Sequence, residues 1–189
     1  SRCCHGMGKS IILDPYDVYR MTTGMGKSMQ ELLAASVEFN VVDGVILPNL
    51  KMQGTEEACA YLDEEGRCSI HPYRPGICRL FPLGRYYENG GFSYFLQTGE
   101  CAKENRSKIK VSKWIDTPDL TRNQQFTLQW HDLLHAMEER LTGEDEGKQK
   151  EENLLLLRLF YLLPYEGTID FYTQFTERME HWNGQNGQI

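Results

Sequence analysis

The sequence predicts an α+β fold: a small cysteine-rich domain with short strands and a hairpin (residues 1–116), then an α-helical region (residues 117–189). Three observations support this. All cysteines lie in the first 101 residues. Apolar stretches flank an Asn89-Gly90 pair, which is a strong hairpin signal. Apolar residues also recur at helical spacing through the last third of the chain, where we expect three helices packed on the first domain or on a partner.

Two short helices are predicted near the N-terminus. Asp14 and Pro15 suit the N-cap and the first helical position, and Gly24 is expected to end this first helix. Ser28 and Glu31 form a capping-box pattern, which predicts a second helix over residues 29–39. Residues 41–52 are then rich in β-prone side chains, with a strand centred on residues 45–47.

A five-residue segment, Gly-Met-Gly-Lys-Ser, occurs at residues 6–10 and again at 24–28. Each copy ends like a phosphate-binding loop. That loop needs another glycine five positions before the Gly-Lys pair, where Cys3 and Met21 stand instead. We therefore interpret the second copy as a loop that leads into a helix.

The hairpin is predicted from strands at residues 83–87 and 92–98 around the turn at 88–91. Cys101 follows the second strand directly. Because a hairpin returns the chain to its starting point, it would bring Cys101 towards Cys78.

The last third of the chain predicts helices over residues 121–141, 151–163 and 168–182. Two of them carry apolar or aromatic stripes at helical spacing. The first stripe consists of Phe126, Trp130, Leu133, Leu134, Met137 and Leu141, and the second of Phe171, Phe175, Met179 and Trp182. A core within the chain explains these stripes, and docking of a protein partner or a homodimer is the alternative.

Charge and hydropathy exclude several classes of partner. The net charge of −7 argues against a nucleic acid or an anionic membrane surface bound by bulk electrostatics. No apolar run approaches the roughly twenty residues that a membrane span needs.

The chain starts at Ser1 and reaches Cys3 and Cys4 at once, so we expect it to begin inside a longer protein.

The cysteines are better suited to binding a metal than to forming disulfides. A chain of 189 residues can build a core without covalent cross-links, and the adjacent Cys3 and Cys4 form an awkward disulfide unit. We therefore predict thiolate ligands in a reducing compartment, and hence a cytoplasmic protein. A disulfide-stabilised secreted domain is the alternative.

The central segment, residues 59–79, has the character of a ligand scaffold. Its cysteines, Cys59, Cys68 and Cys78, are separated by a turn and by prolines that stiffen the chain. Thiolates suit zinc and iron–sulfur clusters, and either kind of site needs about four such ligands.

Side chains near the cysteines could support a metal site. Arg74 and Arg79 could donate hydrogen bonds to sulfur, or pair with a surface acid instead. His5 and His71 could each replace a thiolate, although a hydrogen-bonding role is the commoner one for such histidines. A second histidine pair, His131 and His135, shares a helix face but lacks the glutamate of a zinc-protease motif and a third ligand.

The same segment carries a family resemblance. The relevant stretches are Cys59-Ala-Tyr-Leu-Asp63, Arg67-Cys68-Ser-Ile-His71-Pro-Tyr73 and Arg74-Pro-Gly-Ile-Cys78-Arg79, followed by Pro82. They resemble the cysteine-cluster (CxxCxxCC) family of zinc- or iron-chelating proteins, which includes flagellin lysine N-methylases. Cys3 and Cys4 match the end of its N-terminal motif, and His71 stands where the family usually has an aromatic residue.

The resemblance covers residues 1–101 and implies metal binding. The implied ligands are Cys3, Cys4, Cys59, Cys68, Cys78 and Cys101. We expect an iron–sulfur cluster, of the 4Fe-4S type, with a redox or protein-modifying role. The alternative is a structural zinc module that docks a partner through its C-terminal helices. No catalytic motif stands out, so catalytic residues stay open.

Overall fold

The computed structural model describes residues 2–100 and 108–186. The helices are α1 (Pro15–Met25), α2 (Met29–Ala35), α3 (Gly76–Leu80), α4 (Val111–Ile115), α5 (Leu120–Leu141), α6 (Glu146–Leu157) and α7 (Phe171–Asn186). The strands are β1 (Val37–Val42), β2 (Val45–Leu50), β3 (Met52–Gln53), β4 (Ala58–Cys59), β5 (Leu83–Glu88) and β6 (Gly91–Leu96). Short 3-10 turns occupy Arg2–Cys4 and His71–Tyr73, and a π-helical turn, Arg158–Leu162, extends α6. The α+β prediction is confirmed.

The strands form antiparallel pairs, β1 with β2, β3 with β4 and β5 with β6. The predicted hairpin at β5 and β6 is present, with Asn89 and Gly90 at φ of 51° and 70° in its turn. The pair β1–β2 is a second hairpin, in which Asp43 and Gly44 both have positive φ. An Asp-Gly pair is itself a hairpin signal, so this second hairpin is also predictable from the sequence.

Several predicted helix ends differ from the structure: the helices predicted over 151–163 and 168–182 are α6 (Glu146–Leu157) and α7 (Phe171–Asn186), and two ends near the N-terminus also differ. The second helix ends at Ala35 rather than near residue 39, because Val37 is buried and begins β1. The first helix continues past Gly24 to Met25, and Gly26 supplies the left-handed C-cap. Gly24 therefore does not end the helix, and its role lies in the contact with Tyr73 described below.

The loop interpretation of residues 24–28 is confirmed. Ser28 is the N-cap of α2, and its hydroxyl oxygen accepts a hydrogen bond from the Glu31 N–H at 3.2 Å. The Glu31 carboxylate accepts one from the Ser28 N–H at 2.8 Å. Both bonds satisfy backbone donors that a helix start leaves free.

One continuous core joins the two halves of the chain. Tyr16, Val18 and Met21 of α1 belong to the same buried cluster as Phe126 of α5 and Phe171 of α7. The aromatic stripes of the C-terminal helices are thus buried largely within the chain itself. Among the helices that the structure describes, none combines the length and the hydropathy of a membrane span.

Candidate metal centre

Cysteines from four separate places in the chain line one small cavity of about 80 Å³. They are Cys3, Cys4, Cys59, Cys68 and Cys78, all of them partly buried free thiols. Apolar side chains form most of the remaining wall, among them Met7, Ile11, Leu50, Ile70, Ile77 and Phe81. The sequence did not predict that these apolar residues line the cavity, because spacing alone does not show which of them would face the cysteines.

Backbone pairing brings the N-terminal cysteines to Cys59. The Gly6 N–H donates to the Glu57 carbonyl oxygen at 3.0 Å, and His5 forms an isolated β-bridge with Ala58. Cys59 itself lies opposite Met52 in the β3–β4 pair. The loop that carries Cys3 and Cys4 is therefore fixed against the strand that carries Cys59.

A turn and a bridge return the chain from Cys59 to Cys68. The Asp63 carboxylate accepts hydrogen bonds from the backbone N–H groups of Arg67 at 2.7 Å and Glu65 at 3.0 Å, which closes the turn. Leu62 and Cys68 then form an isolated β-bridge. Cys68 is thereby held on the same side of the structure as Cys59.

Helix α1 supports the segment between Cys68 and Cys78 at three points. The Asp17 carboxylate accepts a hydrogen bond from the Gly76 N–H at 2.7 Å, and Arg20 Nη2 donates to the Pro72 carbonyl oxygen. One turn further along, a side chain at Gly24 would overlap the ring of Tyr73. Asp17, Arg20 and Gly24 lie on one face of α1, because they are three and four residues apart. We call these three residues the α1 stripe.

The other predicted site residues have different surroundings. Arg74 lines the cysteine cavity, and its guanidinium contacts His71 Nε2 at 2.9 Å on the exposed side of the loop. His71 and His5 are not among the residues that line this cavity. Cys101 lies outside the described residues.

Arg79 is buried behind the cavity rather than in its wall. Its side chain is only 4% exposed, and its guanidinium carbon lies 5.8 Å from the centre of the Tyr16 ring. Nε and Nη1 have no hydrogen-bond partner within the described part of the chain. Burial raises the pKa of Asp17, and the charge of Arg79 is the strongest influence that lowers it.

Four thiols of the cavity resist ionisation. Burial, with a smaller contribution from the neighbouring Cys3, raises the pKa of Cys4 to about 12. Burial also raises the pKa of Cys59, Cys68 and Cys78, and the charge of Arg74 opposes the rise at Cys68. Without a cation these four thiols are therefore protonated at neutral pH, and a bound metal would have to displace their protons.

The donor set fits a thiophilic metal, because soft thiolates prefer zinc and iron. The cysteines share one cavity, but within residues 2–100 and 108–186 no three metal-ligating side chains already stand in ligand geometry. The cavity thus supplies the ligand chemistry without a preformed cage.

The family described as "CxxCxxCC: Putative zinc- or iron-chelating domain" matches residues 1–102, which is more than half of the chain. The chain belongs to this family. The match covers every cysteine, and the chain is accordingly a metal-binding protein of the zinc- or iron-chelating kind. No curated protein and no solved structure shows a significant match to it.

Proposed function

We propose that this family member holds an iron–sulfur cluster, of the 4Fe-4S type, in the cysteine cavity. The observation that carries the proposal is the meeting of five free cysteines from four parts of the chain in one cavity. Cys59, Cys68 and Cys78 would supply three ligands, and the Cys3-Cys4 pair the fourth. Cys101 is a further candidate ligand.

The surroundings of the cavity support a redox role. Apolar side chains such as Ile70 and Phe81 limit the access of water, and the charge of Arg74 would offset part of the negative charge of a thiolate-bound cluster. Burial and nearby charge are the two quantities by which a protein sets a cluster's reduction potential. We further propose a reducing, cytoplasmic location, because free thiolates persist there.

A structural zinc site is the second candidate. The small volume of the cavity favours it, since one ion with four thiolates needs less room than a cluster. In this case the C-terminal helices would dock a partner through side chains outside the core, such as the exposed Leu154 and Leu163. A protein-modifying role would require catalytic residues in addition to the cysteines.

Anaerobic purification followed by iron, acid-labile sulfide and zinc analysis separates the two candidates. We expect a brown protein whose visible absorption bleaches reversibly on reduction, and we expect Cys78→Ser to lose most of the metal. Met7→Leu changes the wall of the same cavity without removing a thiol and is the matched control. A colourless protein with stoichiometric zinc would exclude the cluster, and unchanged metal in Cys78→Ser would remove Cys78 from the site.

A further inference from the structure

The wall of the cysteine cavity reaches the molecular surface at Ile77. This residue and Phe81 both line the cavity, and the Phe81 N–H donates to the Ile77 carbonyl oxygen at 3.0 Å. Ile77 is nevertheless 38% exposed. A protein that docked on Ile77 would therefore rest directly on the wall of the proposed metal site.

Helix α4 places an exposed tryptophan beside this part of the wall. The Trp114 indole Nε1 donates to the carbonyl oxygens of Phe81 at 3.1 Å and Leu80 at 3.3 Å, which follow Cys78 in the chain. Trp114 is still 40% exposed. An aromatic ring that is already held in place adds contact area to an interface and loses little conformational freedom on binding.

Exposed lysines accompany Trp114. Lys108, Lys110 and Lys113 are all exposed, and Lys110 is the N-cap of α4. Lys113 and Trp114 follow Lys110 by three and four residues, so one turn of the helix places them next to it. Ile115 is buried instead. Within the described residues, no carboxylate forms an ion pair with any of these lysines.

The cavity wall and the lysine segment are both basic. The residues that line the cysteine cavity include Arg74 but no aspartate or glutamate. Residues 108–115 contain no acid either, and Asp116 is the first one after the lysines. Positive charge therefore predominates here, although the net charge of the chain is −7.

Acidic residues are concentrated in another part of the chain. Residues 138–152 contain seven acids and three bases, and Arg140 pairs with Glu152 across the turn between α5 and α6. This acidic segment lies at the C-terminal end of α5, whereas α4 precedes its N-terminal end. A helix of 22 residues is roughly 33 Å long. Such an uneven charge distribution attracts an acidic protein to one end of a molecule and repels it from the other.

We propose that Ile77, Lys110, Lys113 and Trp114 form a basic face that docks an acidic electron-transfer protein. The docking depends on the charges and exposed side chains of this face, and the electron transfer rests on the proposed cluster. One electron would pass between the carrier protein and the cluster, so that one is oxidised and the other reduced, and no atom is transferred. Lysine charges would steer the carrier and the apolar side chains would hold it, as suits a short-lived redox complex.

Fluorescence anisotropy of labelled flavodoxin, a small acidic flavin carrier, tests the basic face of the full, metal-loaded chain. We expect flavodoxin to bind at low salt and to bind about tenfold more weakly at high salt, because salt screens exposed charges. Labelled parvalbumin is also acidic but has no redox group. It should bind about threefold more weakly than flavodoxin or less, because it offers no exposed flavin edge to Trp114 and Ile77.

Variants of the basic face then assign the contacts. The double variant Lys110→Gln/Lys113→Gln should weaken flavodoxin binding about tenfold and reduce its salt dependence, because two steering charges are lost. Lys148→Gln/Lys150→Gln, in α6, changes the net charge equally and is the matched control, which should bind nearly as the wild type does. Trp114→Phe should weaken binding about threefold and leave the salt dependence unchanged, because it removes contact area but no charge.

The docking proposal is overturned if flavodoxin does not bind, if the two double variants bind it equally, or if phosphatidylglycerol vesicles or duplex DNA bind more tightly than flavodoxin. Self-association of the chain that Lys110→Gln/Lys113→Gln abolishes would also overturn it, because the face would then dock a second copy. Melting curves check folding, and the lysine variants still decide if Trp114→Phe does not fold.

The docking and the cluster fail in distinguishable ways. A chain that holds an iron–sulfur cluster but does not bind flavodoxin would overturn the docking alone. A chain that holds zinc would overturn the electron transfer even if flavodoxin bound. Parvalbumin binding as tight as that of flavodoxin would reduce the face to a general site for acidic proteins and would likewise overturn its role in electron transfer.

Discussion

At the scale of one residue, Cys4 shows how burial in the cavity controls the ionisation of a thiol. It is partly buried beside Cys3, Cys59 and Cys68, and these surroundings favour the neutral thiol. The same burial that hinders ionisation would protect a bound metal from water and exchange. The thiol is therefore inert in the metal-free protein and becomes a ligand only when a cation takes the place of its proton.

This raised pKa predicts a loss of stability at alkaline pH in the metal-free, reduced protein. The pKa of Cys4 rises from its ordinary value of 9.0, which holds in the unfolded chain, to about 12 in the folded protein. Between these values the unfolded state loses the proton and the folded state keeps it. The contribution of Cys4 is therefore fully present below pH 9 and is lost as the pH rises towards 12.

Urea unfolding at a series of pH values measures this effect. The free energy of unfolding should fall more steeply above pH 9 in the wild type than in Cys4→Ser, because serine does not ionise there. Comparison of the two proteins cancels the titration of tyrosines and lysines. Equal slopes would show that Cys4 ionises normally in the folded state.

Asp17 and Arg79 pose a different problem at this scale, because both are ionisable and buried. Asp17 is 2% exposed and Arg79 is 4% exposed. The Asp17 carboxylate serves both as the acceptor for the Gly76 N–H and as a charge partner for Arg79. Loss of the Asp17 carboxylate would leave the buried Arg79 guanidinium without a carboxylate that interacts with it, and an uncompensated buried charge is costly.

At the scale of one element, α1 is the support of the proposed metal loop. Its stripe of Asp17, Arg20 and Gly24 contacts the loop at Gly76, Pro72 and Tyr73. The helix itself is well specified by the capping box between Asp14 and Asp17 and by Pro15. A stable helix thus presents three contacts to a segment whose own regular structure is limited to a 3-10 turn and the five-residue helix α3.

Gly24→Ala tests this support directly. The new methyl group would overlap the Tyr73 ring, so the ring must move away and take the loop before Cys78 with it. We expect a loss of about 1–3 kcal/mol in unfolding free energy, as overpacking usually costs, and weaker retention of metal in competition with a chelator.

Gly184→Ala is the matched control, since Gly184 also lies in a helix, α7, but has open space around it. It should gain roughly 0.5–1 kcal/mol from better helix propensity and leave metal retention unchanged. If Gly24→Ala behaved like this control, the Tyr73 ring would not be held against α1.

The elements also show what the sequence can and cannot predict. Asn89-Gly90, the Ser28 capping box and the stripe on α5 each depend on local chemistry, and each predicted its element correctly. The hairpin at Asp43-Gly44 has an equally local signal, but the helical spacing that continues from α2 obscured it. Tertiary packing decided that boundary, because burial of Val37 favours a strand.

The candidate site was predictable only in part. Cysteine positions and the family pattern pointed to residues 59–79, which do meet Cys3 and Cys4 in the structure. The α1 stripe was not predictable, because its partners lie 52 and 59 residues away along the chain for Arg20 and Asp17. A buried acid and a mid-helix glycine have many ordinary explanations until their contacts are known.

At the scale of the whole molecule, the C-terminal helices are fastened to the cysteine-rich half by polar contacts as well as by the core. The Asn153 side chain accepts a hydrogen bond from the Ile46 N–H at 2.7 Å and donates one to the Gly44 carbonyl oxygen at 3.2 Å. The buried Tyr161 hydroxyl donates to the Leu13 carbonyl oxygen at 3.0 Å. Each bond joins residues more than a hundred positions apart in sequence.

Because of this shared core, we expect metal removal to destabilise the entire described chain rather than the cysteine-rich half alone. A metal that binds only the folded state stabilises everything that unfolds with its site. The far-ultraviolet circular dichroism signal comes mainly from the helices, and the fluorescence of Trp130 and Trp182 reports on the core between α5 and α7. The third tryptophan, Trp114, donates hydrogen bonds to the Leu80 and Phe81 carbonyl oxygens near Cys78, so the fluorescence is best recorded in a Trp114→Phe background.

Thermal melts of as-isolated and metal-stripped protein, recorded by both signals, test this coupling. In each sample the two signals should change in a single transition at the same temperature, and that temperature should drop when the metal is removed. Re-addition of metal under reducing conditions should restore it. If the tryptophan and helix signals melted at an unchanged temperature after stripping, the C-terminal helices would fold independently of the metal site, and the contacts of Asn153 and Tyr161 would not transmit its stability.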